Sequence, residues 1–268
     1  EEKSLTTQYL SGSLKIPIPN ERRRLKNTIS VSGIYQYNIK NANINIPLEG
    51  LTLITGMSGS GKSTLVRDVL KPAIQNYFGD YSNTNKNYEK INISNNNLKK
   101  LEFIDQNPIG KSSRSNPSTY IKVYDDIRKL FASQPLSENR KYKTGFFSFN
   151  VDGGRCENCK GEGETTVEMQ FMADVHLECE HCKGKRFKKE ILEIKFAEKN
   201  ISDILNLSVD EAISFFSSNS ENNIAKKLQP LKDVGLGYVK MGQSSNTLSG
   251  GEAQRIKLAS FLSKGNID

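Results

Sequence analysis

The sequence predicts an α/β protein: a P-loop nucleotide-binding core interrupted by an α+β insertion that carries a four-cysteine metal module. Three observations lead there. Gly56-Met57-Ser58-Gly59-Ser60-Gly61-Lys62-Ser63 fits G-x-x-x-x-G-K-[ST], a loop that cradles phosphate. The cysteines fall into two pairs, Cys156-x2-Cys159 and Cys179-x2-Cys182. A second glycine-rich motif, Leu248-Ser249-Gly250-Gly251-Glu252, opens a helix downstream of both.

Taken in order, residues 1–28 read as irregular, with Pro17, Pro19 and the basic run Arg22-Arg23-Arg24. Alternating apolar residues over 28–48 predict strands, with turns near Gly33 and Asn38. Leu51-Thr52-Leu53-Ile54-Thr55 reads as a short apolar strand ending at Gly56. A helix follows over 62–73, stopped at or soon after Pro72. The Asn-rich stretch 83–97 reads as a solvated loop. Leu101-Glu102-Phe103-Ile104-Asp105 reads as a second strand, closed by Gln106-Asn107-Pro108, with an irregular basic loop over 109–119.

Helical spacing of Ile121, Tyr124, Ile127, Leu130 and Phe131 predicts a helix over 120–132. Phe146, Phe147 and Phe149 are candidate core, and the metal module runs over 153–187. A strand is expected over 191–196 and helices over 201–205, 209–217 and 223–231, the last interrupted at Pro230. The final helix, 252–264, has Ala253, Ile256, Leu258, Ala259 and Leu262 to supply an apolar face. The implied domains are 1–108 (N-terminal segment and P-loop subdomain), 109–247 (insertion) and 248–268 (second glycine motif and its helix).

Composition narrows the class. Across 268 residues the net charge is +8, the pI about 9.1 and the mean hydropathy −0.57. Moderate positive charge is compatible with a nucleic-acid partner. No apolar run approaches the ~20 residues of a membrane span, and residues 1–30 lack the apolar stretch of a signal peptide. With every cysteine in a C-x-x-C pair, a reducing, cytoplasmic setting is expected, where thiolates hold metal rather than oxidise.

Each motif implies a chemistry. In the first loop, glycines let backbone N–H groups approach phosphate oxygens, and the following helix presents its positive end. Gly56, Ser58, Gly59, Ser60, Gly61 and Thr64 are candidate contacts to ATP. Lys62 is placed for the β- and γ-phosphates, and the Ser63 hydroxyl for Mg2+. Tyr35 and Tyr37 lie upstream, where a ring can stack on adenine or simply occupy a strand. Gln106 is a candidate contact to Mg2+ or to an attacking water, and no residue is assigned as catalytic beyond that.

The spacing C-x2-C-x19-C-x2-C fits a tetrahedral zinc site of four thiolates, closed to water and therefore structural. Gly161 and Gly184 follow each pair and permit a tight turn. His176 and His181 lie nearby as spectators, since four cysteines fill the shell. The arm with Glu162, Glu164, Glu168, Asp174, Glu178 and Glu180 is acidic, a poor phosphate surface. Lys183, Lys185, Arg186, Lys188 and Lys189 cluster after the last ligand and suit a nucleic-acid backbone, or merely solubilise an edge.

Ser249, Gly250 and Gly251 place a hydroxyl and glycine N–H groups at a helix start, a second anion site, although a capping box alone would use the same residues. Its continuation Ala253-Gln254-Arg255-Ile256-Lys257-Leu258-Ala259 resembles the signature helix of ABC-type ATPases. With the zinc module lodged between the two glycine motifs, the chain resembles the UvrA family, the A subunits of bacterial UvrABC excinucleases, and within it the C-terminal nucleotide-binding half. The strings that carry this resemblance include Asp105-Gln106-Asn107-Pro108-Ile109-Gly110, Arg114-Ser115-Asn116-Pro117, Phe147-Ser148-Phe149-Asn150 and Asp233-Val234-Gly235-Leu236-Gly237-Tyr238.

The resemblance implies an ABC-type ATPase core interrupted by an α+β signature domain with the four-cysteine zinc module. It implies a homodimer that binds ATP, Mg2+ and Zn2+, recognises lesions in double-stranded DNA during nucleotide excision repair and loads UvrB. Lys62, Ser63 and Gln106 would serve one ATP, and Ser249, Gly250 and Gly251 another. Lys111 and Arg114 match a region that faces DNA, to which Lys183, Lys185 and Arg186 add. The family's Walker B strand and switch histidine belong downstream of Glu252, so the chain is expected to be a fragment with little hydrolysis of its own. A UvrA-like paralogue protecting against DNA-binding antibiotics is the alternative. A transporter ATPase and a zinc-dependent chaperone fit the motifs less well.

Overall fold

The structure is a computed structural model that describes residues 4–80, 86–94, 98, 100–110, 112, 114–167, 169 and 175–263. The chain divides into Glu1–Phe103 and Ile104–Asp268. A short helix, α1 (Leu5–Leu10), lies in the first unit within the stretch expected to be irregular. The unit is built on an antiparallel sheet in which β1 (Thr28–Gln36) lies between β2 (Ile39–Pro47) and β3 (Lys90–Ile93). Ile29 faces Ile46 and Ile93, and Val31 faces Ile44 and Ile91.

Gly33 makes no turn. It sits at a register shift inside β1, with φ +64° and its N–H donated to the Asn43 side chain at 3.0 Å. The shift moves the inward-facing positions from Ile29 and Val31 to Ile34, so all three are buried. The chain reverses at Tyr37-Asn38, where the second turn is expected, with Tyr37 at φ +50°.

The helix after the glycine loop does not stop at Pro72. It winds as a π-helix over Thr64–Leu70 and continues as α2 (Lys71–Tyr77), burying Val69, Leu70 and Ile74 against the sheet. The wide π turns open the hydrogen-bond ladder where Pro72 has no N–H to give and its ring would crowd a carbonyl. The strands expected at 51–55 and 101–105 are absent among the described residues, and Leu51 and Leu53 are exposed. An apolar run becomes a strand only when a neighbour completes its ladder, and no described residue does so.

The second unit is mostly helical. Its helices are α3 (Pro117–Tyr120), α4 (Val123–Ala132), α5 (Pro135–Asn139), α6 (Lys189–Leu192), α7 (Ile201–Asn206), α8 (Val209–Ser218), α9 (Asn222–Asp233) and α10 (Gly250–Leu262). The helix expected over 120–132 is broken at Lys122, which takes a left-handed φ of +63° between α3 and α4. Tyr124, Ile127 and Phe131 on α4 meet Phe147, Phe149 and Phe187 in the core. The buried Tyr124 hydroxyl donates to the Phe147 carbonyl at 2.7 Å.

The segment 191–196 is helical at its start rather than a strand. Ile191 and Ile194, three apart, are the buried pair, a helical period beneath an apparent alternation. Pro230 lies inside α9 without ending it, because Leu228 and Leu231 on either side are buried. On α10 only Ala253, Ile256 and Ala259 are buried, and Leu258 and Leu262 are exposed. Through those three residues the helix belongs to the second unit's core.

Candidate nucleotide and metal sites

The glycine loop sits between the β1–β2 hairpin and the start of the π-helix. Gly61 has φ +93°, and a Cβ there would lie 3.1 Å from the Asn38 amide oxygen. A Cβ on Gly56 would come within 2.7 Å of Ser60 Oγ. Only glycine allows so close a wrap. The Lys62 ammonium arches back over the loop and donates to the Gly56 carbonyl at 2.8 Å and the Met57 carbonyl at 2.6 Å. Asn38, Ser58, Gly59, Gly61, Lys62, Ser63 and Thr64 line one cavity of about 240 Å3. The Lys62 ammonium thus lies over this loop, and the helix that starts at Thr64 lies beside it.

The clasp that Asn38 makes escaped sequence reading. Its amide donates to the Gly59 carbonyl at 3.2 Å, holding the loop from the hairpin tip. No local pattern marks that contact, because hairpin and loop meet only in the fold. Tyr35 and Tyr37 are exposed on the same hairpin, as a stacking platform requires.

Gln106 lies in the second unit beside the second glycine motif. A Cβ on Gly250 would sit 3.6 Å from that of Gln106. Lys257 on α10 donates to the Asp105 carbonyl at 3.3 Å and pairs with its carboxylate. This bond to the Lys257 ammonium is the main reason the Asp105 carboxyl is held below its usual range.

At the start of α10, Ser249 is the N-cap. Its Oγ accepts from the Glu252 N–H at 3.2 Å, and Glu252 Oε2 accepts from the Ser249 N–H at 2.7 Å. Glu252 Oε1 accepts from the Tyr238 hydroxyl at 2.6 Å. The capping box is real, and it leaves the Gly250 and Gly251 N–H groups without acceptors among the described residues.

Cys156, Cys159, Cys179 and Cys182 are buried, and their sulfurs lie within 4.8 Å of one another. Thiolates about 2.3 Å from a tetrahedral metal sit about 3.8 Å apart, and the sulfurs of Cys159 and Cys182 are 3.6 Å apart. The donor set fits zinc. Each pair is followed by the same turn. Lys160 and Gly161 have φ +49° and +86°, and Lys183 and Gly184 have +48° and +70°. Glu162 N–H then donates to the Cys159 carbonyl at 2.9 Å, and Lys185 N–H to that of Cys182 at 3.0 Å. Gly161 is further required by packing, since a Cβ would meet the Phe149 carbonyl at 2.1 Å.

Between the knuckles, β4 (Glu164–Val167) and β5 (Val175–Glu178) form an exposed hairpin. His176 bonds Thr166 on that hairpin, and His181 lies on the surface, so neither joins the sulfur cluster. His181, Lys183, Lys185, Lys188 and Lys189 line an open basic cavity of about 400 Å3 beside Cys182.

Arg186 departs from its expected place on the basic surface. Its guanidinium lies over the Phe149 ring and donates to the Gly242 carbonyl at 3.1 Å. Arg114 is half-buried and faces Glu162 at 3.9 Å. Lys111 lies outside the described residues.

No family model matches the chain. It is 53% identical over 262 residues to UvrABC system protein A of Aquifex aeolicus, covering 97% of this chain and 28% of that protein. Identity to the protein of the same name from Clostridium acetobutylicum is 50% over 264 residues, covering 98% of this chain and 28% of the relative. Among solved structures, UvrA2 from Deinococcus radiodurans matches with a TM-score of 0.88 and 42% identity, over 98% of this chain and 31% of that one. The chain therefore spans little more than a quarter of the curated relatives it matches.

Proposed function

Because this chain is a partial UvrA segment, we propose that the protein carrying it recognises damaged DNA at the expense of ATP in UvrABC nucleotide excision repair. The observation that carries the reading is the pairing of an assembled glycine cradle with a closed four-sulfur cluster, at about half identity to UvrABC system protein A along almost the whole chain. The antibiotic-protection reading has no comparable support.

In this reading Lys62 neutralises the β- and γ-phosphates, loop N–H groups and Thr64 bind their oxygens, and Ser63 holds Mg2+. The metal supplies charge neutralisation on the phosphates. Ser249, Gly250 and Gly251 bind the γ-phosphate of a second ATP across a homodimer, with Gln106 contributing to Mg2+ or water. Zinc on the four cysteines fixes the two knuckles and so the exposed hairpin. Arg114, Lys111, Lys183 and Lys185 contact DNA phosphates. Such contacts read backbone and duplex shape, as a sensor of varied lesions requires. The site of action is the cytoplasm, and UvrB is the partner that receives the lesion.

The test is binding of the full-length protein to a fluorescent duplex with and without one bulky lesion, at several salt concentrations, with and without ATP. Salt-sensitive binding that favours the lesion and responds to ATP is expected. Binding that ignores both lesion and nucleotide would remove the reading.

A further inference from the structure

We propose that Tyr238 is the positioning residue that keeps the start of α10 open to phosphate, by holding the Glu252 carboxylate off it. The inference rests on the reading of Ser249, Gly250 and Gly251 as a nucleotide clamp.

The difficulty at this helix start is that it carries its own anion. Glu252 occupies the third position of α10, and a carboxylate there is drawn to the helix's free N–H groups just as a phosphate is. One of its oxygens is committed to the Ser249 N–H. The other, left alone, is free to turn toward the Gly250 and Gly251 N–H groups and close the site. It is instead held by the Tyr238 hydroxyl at 2.6 Å, and Arg255 lies 3.5 Å from the same hydroxyl.

Tyr238 is placed for this and for little else. Its ring is 63% exposed and contributes nothing to the core. The turn that carries it is nevertheless firmly fixed. Asp210 N–H donates to the Gly237 carbonyl and Val209 N–H to the Val239 carbonyl, each at 2.9 Å. Gly237 is buried so closely that a Cβ would lie 2.2 Å from an Asp210 carboxylate oxygen. A rigid turn therefore delivers a phenol to one oxygen of one carboxylate. Because the hydroxyl leaves the Ser249 cap intact, its effect falls on phosphate binding rather than on helix formation.

The test is ATP turnover by the full-length protein in four variants. Tyr238→Phe removes only the hydroxyl and should raise KM for ATP about threefold to tenfold, the range of an ordinary net hydrogen bond, because the hydroxyl acts on phosphate only through Glu252, while kcat changes little. Glu252→Gln removes the competing charge while its amide oxygen still caps Ser249. Adding Tyr238→Phe to Glu252→Gln should therefore leave KM where the single Glu252→Gln variant has it. An equal KM rise in the Glu252→Gln background would show Tyr238 to be merely structural and overturn the proposal. So would an unchanged KM in Tyr238→Phe when Ser249→Arg abolishes turnover. Normal turnover in Ser249→Arg would instead defeat the clamp reading itself, and the proposal with it.

Discussion

Lys257 grips Asp105 twice, through its carboxylate and through its backbone carbonyl, and so fastens α10 to the segment that ends in Gln106. The lysine is largely buried and the aspartate more open. Two consequences are measurable. Lys257→Met should lower the melting temperature of the protein, since it leaves Asp105 without its partner. The Asp105 carboxyl is held below its ordinary value by the bond to Lys257. The stabilisation it brings is therefore present above the unfolded value and lost as pH falls through the lowered folded value. Melting temperature should drop below about pH 4, and Asp105→Asn should flatten part of that drop. An acid limb identical in Asp105→Asn would place the titration elsewhere.

The matched turns at Lys160-Gly161 and Lys183-Gly184 make the metal site a closed unit. Its four buried sulfurs cannot share that space as thiolates without a cation, so binding and local folding are one event. The protein should hold one zinc on these sulfurs. Chelation or Cys179→Ser should expose 156–187 to protease while the β1–β2–β3 sheet keeps its structure. Protease resistance unchanged after complete metal removal, confirmed by metal analysis, would refute a structural role.

Local motifs and distant contacts differ in how far the sequence announces them. A C-x2-C knuckle is local: spacing places the two sulfurs of a pair on one side of a turn, so the four cysteines cluster as the motif predicts, and the glycine loop turns where its glycines fall. What the motifs cannot carry is anything that depends on a distant neighbour. Leu51-Thr52-Leu53 has the composition of a strand and no described ladder partner. Arg186 shares a basic run with Lys183 and Lys185, yet the Phe149 ring and the Gly242 carbonyl draw it inward. Pro72 and Pro230 read as helix stops, and packing on their flanks carries both helices through. The contacts of Asn38 and Tyr238 had no signal, because each acts on a motif well removed along the chain.

The glycine cradle predicts graded losses on substitution. Lys62→Ala takes away the only side-chain cation lining the cavity among the described residues. It should weaken ATP binding by about tenfold to a hundredfold, the range of a charge-assisted hydrogen bond. Asn38→Ala removes a clasp on the Gly59 carbonyl rather than a phosphate contact, so its effect should be about threefold, with Lys62 still in place. Fluorescent nucleotide titration of the full-length protein measures both. Equal losses in the two variants would mean that Asn38 binds the ligand directly.

The basic cavity and the inward arginine separate two roles that adjacent residues would otherwise share. Lys183 and Lys185 are exposed and line the cavity beside Cys182. Each that meets a phosphate releases condensed counterion, at about 0.9 per contact on a double-logarithmic salt plot. The double variant Lys183→Ala/Lys185→Ala should therefore reduce the slope by about 1 to 2 and weaken lesion-bearing and intact duplex alike. Its melting temperature should stay close to that of the parent. Arg186→Ala should behave the opposite way. It strips a guanidinium from the Phe149 ring and a hydrogen bond from Gly242, so it should lower the melting temperature and leave the salt slope alone. A salt slope that falls in Arg186→Ala at unchanged stability would return that residue to the DNA surface.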